Sequence, residues 1–171
     1  HKWLYAPRGC AFLWTAPSRR ATTHPGVVSV DWGRGYAREF DWAGTRDPSA
    51  WLCVPDAIGF FTGLGVEAAR RYMSRLAGEA VARLVAACGA VPLAPAPMFA
   101  AMAAVRLPHA GQAGVADAAR LHDALIDRHG VEVPVQAIDG MLTLRLSAQV
   151  YNGSQDVDRL VTALQAEAVT S

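Results

Sequence analysis

From Val66 to Cys88 the residues Val66, Ala69, Met73, Leu76, Ala80, Leu84 and Ala87 recur at steps of three and four, with arginines on the other side. That is the period of a helix with one apolar face, and Gly89 stands where such a helix takes its C-terminal cap. An apolar stripe of this length has to be laid against another layer of structure. The residues directly after it raise a competing possibility. Leu84 to Val105 is a run of twenty-two residues without a charge, long enough to cross a bilayer. Gly89, Pro92, Pro95 and Pro97 argue against a span, because four breakers in nine residues leave backbone groups unpaired in lipid. The run reads as a helix end, a proline-rich crossing and a strand, and no membrane partner is expected.

The other segments follow from the same kinds of signal. Residues 8–15, RGCAFLWT, are expected as a buried strand entered from a Pro-Arg-Gly turn. Residues 17–26 read as a polar, turn-rich loop and 27–30, VVSV, as a short strand. The aromatic stretch 31–46 carries too much Gly and Trp for a helix. Asp47 as N-cap with Pro48 behind it starts one, which Pro55 should bend or interrupt. Residues 102–108 read as a strand, and 114–130 as a helix with Asp117 near its start and Gly130 past its end. VEVPVQAID and MLTLRLSA are two strands joined by the turn signal Asp139-Gly140. A last helix begins after Ser154 and places Val157, Leu160, Val161 and Leu164 on one face. The order predicts an α/β or α+β chain whose later part is a small sheet covered by helices.

Composition narrows the class without naming a function. Hydrophobic residues make up 52% and the net charge is +1, so a packed domain or two is expected and a nucleic-acid surface is not. Cys10, Cys53 and Cys88 are odd in number and lack metal-ligand spacing, which argues against a disulfide framework or a zinc site and for a reducing cytoplasm. No signal or transit peptide is visible. Of 16 basic residues one is lysine, Lys2, so fifteen are arginine. GC-rich coding accounts for most of that bias. It does not account for why the exception stands in HKWLYAPRGCAFLW, between a histidine and a tryptophan.

HKWLYAPRGCAFLW resembles the lysine segment of the class V aminotransferase-like enzymes, pyridoxal-phosphate proteins of fold type I. FDWAGTRDPSAWLCVPDAIGF resembles the segment that follows it in the isopenicillin-N-epimerase-like branch. VRLP and LTLRLSAQVYNGSQDVDRL resemble that branch's C-terminal domain. The resemblance runs in order from residue 1 to about residue 165. It implies that residues 1–64 are the end of a large cofactor-binding domain, and that 65–171 are a connecting helix and a small α+β C-terminal domain.

Roles for single residues are implied in the same way. Lys2 would hold pyridoxal 5'-phosphate through its amine, at a strand end. A free lysine titrates near 10.4, so its surroundings must make the neutral amine accessible. His1 would donate to the cofactor phosphate. Gly44 and Thr45 would form the turn that touches the phosphate of the neighbouring subunit's cofactor, implying a homodimer with shared active sites. Arg145 would bind the substrate's α-carboxylate as a fork, with Thr143, Arg145 and Ser147 on one face of a strand and the leucines on the other. Tyr151 and Asn152 belong to the same motif. His24, Arg34, Tyr36 and Arg38 read as solvated loop residues, and Trp32, Phe40, Trp42 and Trp51 as packing.

The implied chemistry is reaction at Cα of an amino-acid-like substrate, as an epimerase or aminotransferase. A C–S lyase is the alternative, as is a non-catalytic interaction module. A desulfurase would need a cysteine shortly before the arginine, and the thirty residues preceding Arg145 hold none. The chain opens without methionine inside the lysine motif. It is therefore expected to be the C-terminal part of a longer enzyme, inactive alone and exposing apolar surface.

Overall fold

A strand persists only where a neighbour answers its backbone N–H and C=O groups, and this decides the structure of the first sixty-four residues. The computed structural model describes residues 1–42 and 44–168 and divides the chain into two compact units, His1–Leu64 and Gly65–Ser171. In the first unit neither predicted strand forms. RGCAFLWT runs extended with Phe12 85% and Trp14 73% exposed, and VVSV leaves Val28 and Val30 in solvent. β-branched and aromatic residues favour a pleated surface only when another strand lies beside them, and none of the described residues of this unit does so. Cys10 alone of the first segment turns inward, its Sγ donating to the Pro7 carbonyl at 3.1 Å.

The same unit forms a helix where none was expected. Helix α1, Tyr36–Asp41, is entered through Gly35 at φ 95°, and the Glu39 side chain reaches back to accept the Gly33 N–H at 3.1 Å. A local side-chain bond thus offsets the weak propensity of the stretch. Helices α2, Ser49–Leu52, and α3, Val54–Gly63, meet at Cys53 with Pro55 in the first turn of α3, the interruption that the proline predicts. Asp47 accepts both the N–H and the hydroxyl of Ser49, at 2.9 and 2.5 Å, but the helix begins at Ser49 with Pro48 in the N-cap position, one residue later than expected.

The second unit is a four-stranded antiparallel sheet in the order β1-β2-β4-β3 with three helices. Its elements are α4 (Val66–Cys88), β1 (Val91–Pro92), β2 (Met102–Arg106), α5 (Val115–His129), β3 (Val135–Ile138), β4 (Met141–Ser147) and α6 (Ser154–Ala168). Five residues of the predicted stripe, Ala69, Met73, Leu76, Ala80 and Leu84, are on the buried face of α4, while at its ends Val66 is half-buried and Ala87 exposed. Gly89 closes the helix at φ 64°, and the Ala90 N–H returns to the Leu84 carbonyl. Asp139 and Gly140, at φ 51° and 72°, make the two-residue turn of the β3–β4 hairpin. Ala103 pairs with Leu146 and Val105 with Leu144, so two strands bury one face together, with Leu84, Leu125, Leu144 and Val105 at its centre. Thr143 departs from the expected alternation. It is buried because its hydroxyl donates to the Gln136 carbonyl at 3.0 Å. Among the described residues no single helix is long and apolar enough to cross a membrane.

Candidate active site

The lysine segment is one turn of 3-10 helix, Lys2–Leu4, and not a strand end. The Ala6 N–H closes it on the His1 carbonyl at 3.1 Å, with Tyr5 in the left-handed region at φ 59°. Tyr5 fixes the turn to α3, its ring edge-on to Phe60 with centroids 5.2 Å apart and tilted against Phe61 at 6.0 Å. His1 and Lys2 are exposed, and none of the described carboxylates forms an ion pair with the Lys2 amine. A primary amine not committed to a carboxylate is available to an aldehyde.

Gly44 sits at φ 103° with no atom within 4 Å of the position a Cβ would take, a conformation that requires glycine and an open approach to its backbone. Thr45 beside it is exposed. The next residues hold the turn: the Arg46 guanidinium lies 4.0 Å over the Trp51 ring, and the Ser49 hydroxyl and N–H keep the Asp47 carboxyl below its ordinary range. Lys2, His1, Gly44 and Thr45 share the first unit, and Arg145 belongs to the second. Taken one by one, an amine, an imidazole, a hydroxyl and a glycine N–H are groups whose chemistry suits an aldehyde carrying a phosphate.

Arg145 stands on β4 where the ladder with β3 stops. Val135 pairs with Leu144, and the Arg145 N–H still donates to the Pro134 carbonyl at 3.1 Å. Pro134 has no N–H to return, so pairing ends there and β4 continues with a free edge. That edge opens on a cavity of about 290 Å³ whose wall includes Arg145, Ser147, Asn152, Asp156 and Arg159, over an apolar floor that includes Leu76 and Leu160. The loop into α6 is held tightly. Asn152 Oδ1 accepts the Gln149 N–H, its carbonyl accepts the Tyr72 hydroxyl at 2.5 Å, and Asp156 accepts the Gly153 N–H at 3.0 Å. Tyr151 is 78% exposed.

Two features had no local signal in the sequence. His24 Nδ1 lies 2.6 Å from Glu39 Oε2, fifteen residues away, with Trp32 against the imidazole at 5.0 Å. The bond from His24, then that from Gly33, holds the Glu39 carboxyl below its ordinary range against the opposing effect of burial. Arg159 on α6 reads in the sequence as one more helix-surface cation. Cys88 is half-buried and its thiol is pushed up by desolvation, the state of an inert cysteine.

No model of a known protein family matches the chain. Among solved structures, a NIFS-like protein superposes with a TM-score of 0.63 over 86% of this chain and 39% of that one, at 17% identity. The cysteine desulfurase CsdA from Escherichia coli does so with a TM-score of 0.63 over 80% and 34%, at 18% identity. The mixed α/β fold, with its small antiparallel sheet under helices, is that of the C-terminal part of fold type I enzymes.

Sequence relatives extend the match over nearly the whole chain. Isopenicillin N epimerase of Amycolatopsis lactamdurans is 37% identical, covering 96% of this chain and 44% of that protein. The probable chloroplastic L-cysteine desulfhydrase of Arabidopsis thaliana is 34% identical, covering 96% and 38%. The chain belongs to the class V aminotransferase-like family, beside the isopenicillin N epimerases and L-cysteine desulfhydrases. It spans less than half the length of these curated relatives.

Proposed function

We propose that this chain carries the cofactor lysine and the carboxylate-binding arginine of a pyridoxal-5'-phosphate-dependent enzyme that reacts at Cα of an amino-acid substrate. The observation that carries the reading is Lys2: the single lysine of a chain that is similar over 96% of its length to an isopenicillin N epimerase, in none of the described ion pairs. His1, Gly44 and Thr45 supply N–H and O–H donors for the phosphate, and Arg145 takes the substrate's α-carboxylate as a two-pronged donor. When bound, the cofactor supplies an electron-withdrawing ring that lets a Cα–H bond break with its electron pair left on carbon. Lys2 Nζ takes that proton. Return of a proton to the opposite face of Cα gives epimerisation. The active unit is a homodimer, because the Gly44–Thr45 turn serves the neighbouring subunit's cofactor. Three unpaired thiols, Cys10, Cys53 and Cys88, suit a reducing cytoplasm.

A second reading has equal support from sequence. L-cysteine desulfhydrases match at 33–39% identity, beside the 33–37% of the epimerases. In that reading Lys2 takes the same proton, the Cβ–S bond breaks, and sulfide leaves. Two experiments separate the possibilities. The full-length protein that carries this chain is incubated with pyridoxal phosphate and reduced with borohydride, and the adduct is located by peptide fragmentation. A pyridoxyl group on the Lys2 side chain, absent in Lys2→Ala, is expected. No adduct on folded protein with excess cofactor would sink the cofactor reading. The holoenzyme is then given amino acids in heavy water: deuterium at Cα without sulfide indicates epimerisation, and sulfide from L-cysteine indicates the lyase.

A further inference from the structure

Five of the nine arginines of the second unit are paired with an acid, and Arg71, Arg106, Arg145 and Arg159 are not among the described ion pairs. Arg70 pairs with Glu67, Arg75 and Arg83 with Glu79, Arg120 with Asp117 and Arg128 with Glu167. Of the other four, Arg145 and Arg159 stand out by position. Both line the same cavity, both are exposed, and neither lies within 4.0 Å of a carboxylate among the described residues.

The reason is local. Asp156 is three residues before Arg159 on α6, the spacing at which an acid and an arginine meet on a helix. Its Oδ2 is already taken by the Gly153 N–H at 3.0 Å and the Asn152 amide at 3.3 Å, so it faces the helix start and leaves Arg159 free. The wall thus holds two guanidinium groups over an apolar floor, one from β4 and one from the second turn of α6, and two acids, Glu132 and the Asp156 turned to the helix start.

We propose that this cavity is a two-arginine site for a small dianion. Arg145 holds the α-carboxylate and Arg159 a second anionic group, so the substrate is an amino acid whose side chain carries a carboxylate of its own. This rests on the reading of Arg145 given above and adds the substrate class to it. A volume of about 290 Å³ lies at the lower end of small-ligand cavities and suits a ligand of this size. Cysteine has no second carboxylate, so a two-arginine site also favours the epimerase-type reading over the desulfhydrase one.

The test is binding, measured by calorimetry on the 171-residue chain with succinate, glutarate, adipate and butyrate. At least one dicarboxylate is expected to bind about tenfold or more tightly than butyrate, the effect of one added charge-assisted pair. Arg159→Gln should bring that dicarboxylate down to the butyrate level and leave butyrate unchanged, and Arg159→Lys should restore part of the difference. Arg145→Gln should weaken both ligands. Equal binding of all four acids, a preference that survives Arg159→Gln, or loss of both ligands in that variant would overturn the proposal. If Arg145→Gln changes nothing, the carboxylate role of Arg145 fails, while the Lys2 adduct tests the cofactor reading separately. Both side chains are exposed, and matching thermal melts show that the variants are folded.

Discussion

Glu39 is 2% exposed, with one oxygen on His24 and the other on the Gly33 N–H. Its carboxyl is held below the ordinary value of 4.5, first by the His24 bond. A group with a lowered folded-state pKa contributes stability above its unfolded pKa and loses it as pH falls through the folded one. The 36–41 helix and its loop are therefore expected to loosen below about pH 4.5, and Glu39→Gln should flatten that dependence. Fluorescence of Trp32, packed on the same imidazole, followed through an acid titration checks it. Leu144 is the opposite kind of residue, fully buried at the centre of the sheet's covered face. Leu144→Ala leaves a cavity there and should cost about 2–5 kcal/mol, read from urea unfolding of the second unit.

Among the elements, α4 and the β3–β4 hairpin are the most sharply specified by their residues. Gly78 sits inside α4 with nothing within 4 Å of the place a Cβ would occupy, so it serves no packing purpose there. Gly78→Ala should stabilise by about 0.5–1 kcal/mol, seen as a raised melting temperature. Gly140 is the reverse case. At φ 72°, with Gln112 Cγ 3.4 Å from the Cβ position, it is required by the turn. Gly140→Val should destabilise by about 1–2 kcal/mol in the same measurement. These elements were legible because a helix stripe and a two-residue turn are local patterns. The strands expected at 8–15 and 27–30 were not legible in the same way. Their apolar residues are real, but a strand is defined by what lies beside it, and in this unit Phe12, Trp14 and Val30 face solvent.

Over the whole molecule the two units differ in how much they bury. All five tryptophans, at positions 3, 14, 32, 42 and 51, lie in the first unit, and the four largest fully buried side chains, Leu84, Leu125, Leu144 and Val105, lie in the second. Tryptophan fluorescence therefore reports the thinner core, while far-UV circular dichroism is dominated by α4, α5 and α6. In urea the fluorescence transition is expected at lower denaturant than the dichroism transition, and coincident curves would show that the units unfold as one.

The sequence by itself determined α4 and its cap, the hairpin turn, the order of elements in the second unit, and the resemblance that singles out Lys2, Gly44, Thr45 and Arg145. Each depends on neighbours along the chain. The tertiary structure alone decided that Lys2 lies on a 3-10 turn pinned by Tyr5, that His24 and Glu39 meet, and that Arg145 and Arg159 line one cavity. The physical reason is the same in each case. These pairings are made by where β4 loses its partner at Pro134, where α6 begins and where a loop folds back, and separation along the chain carries no trace of them.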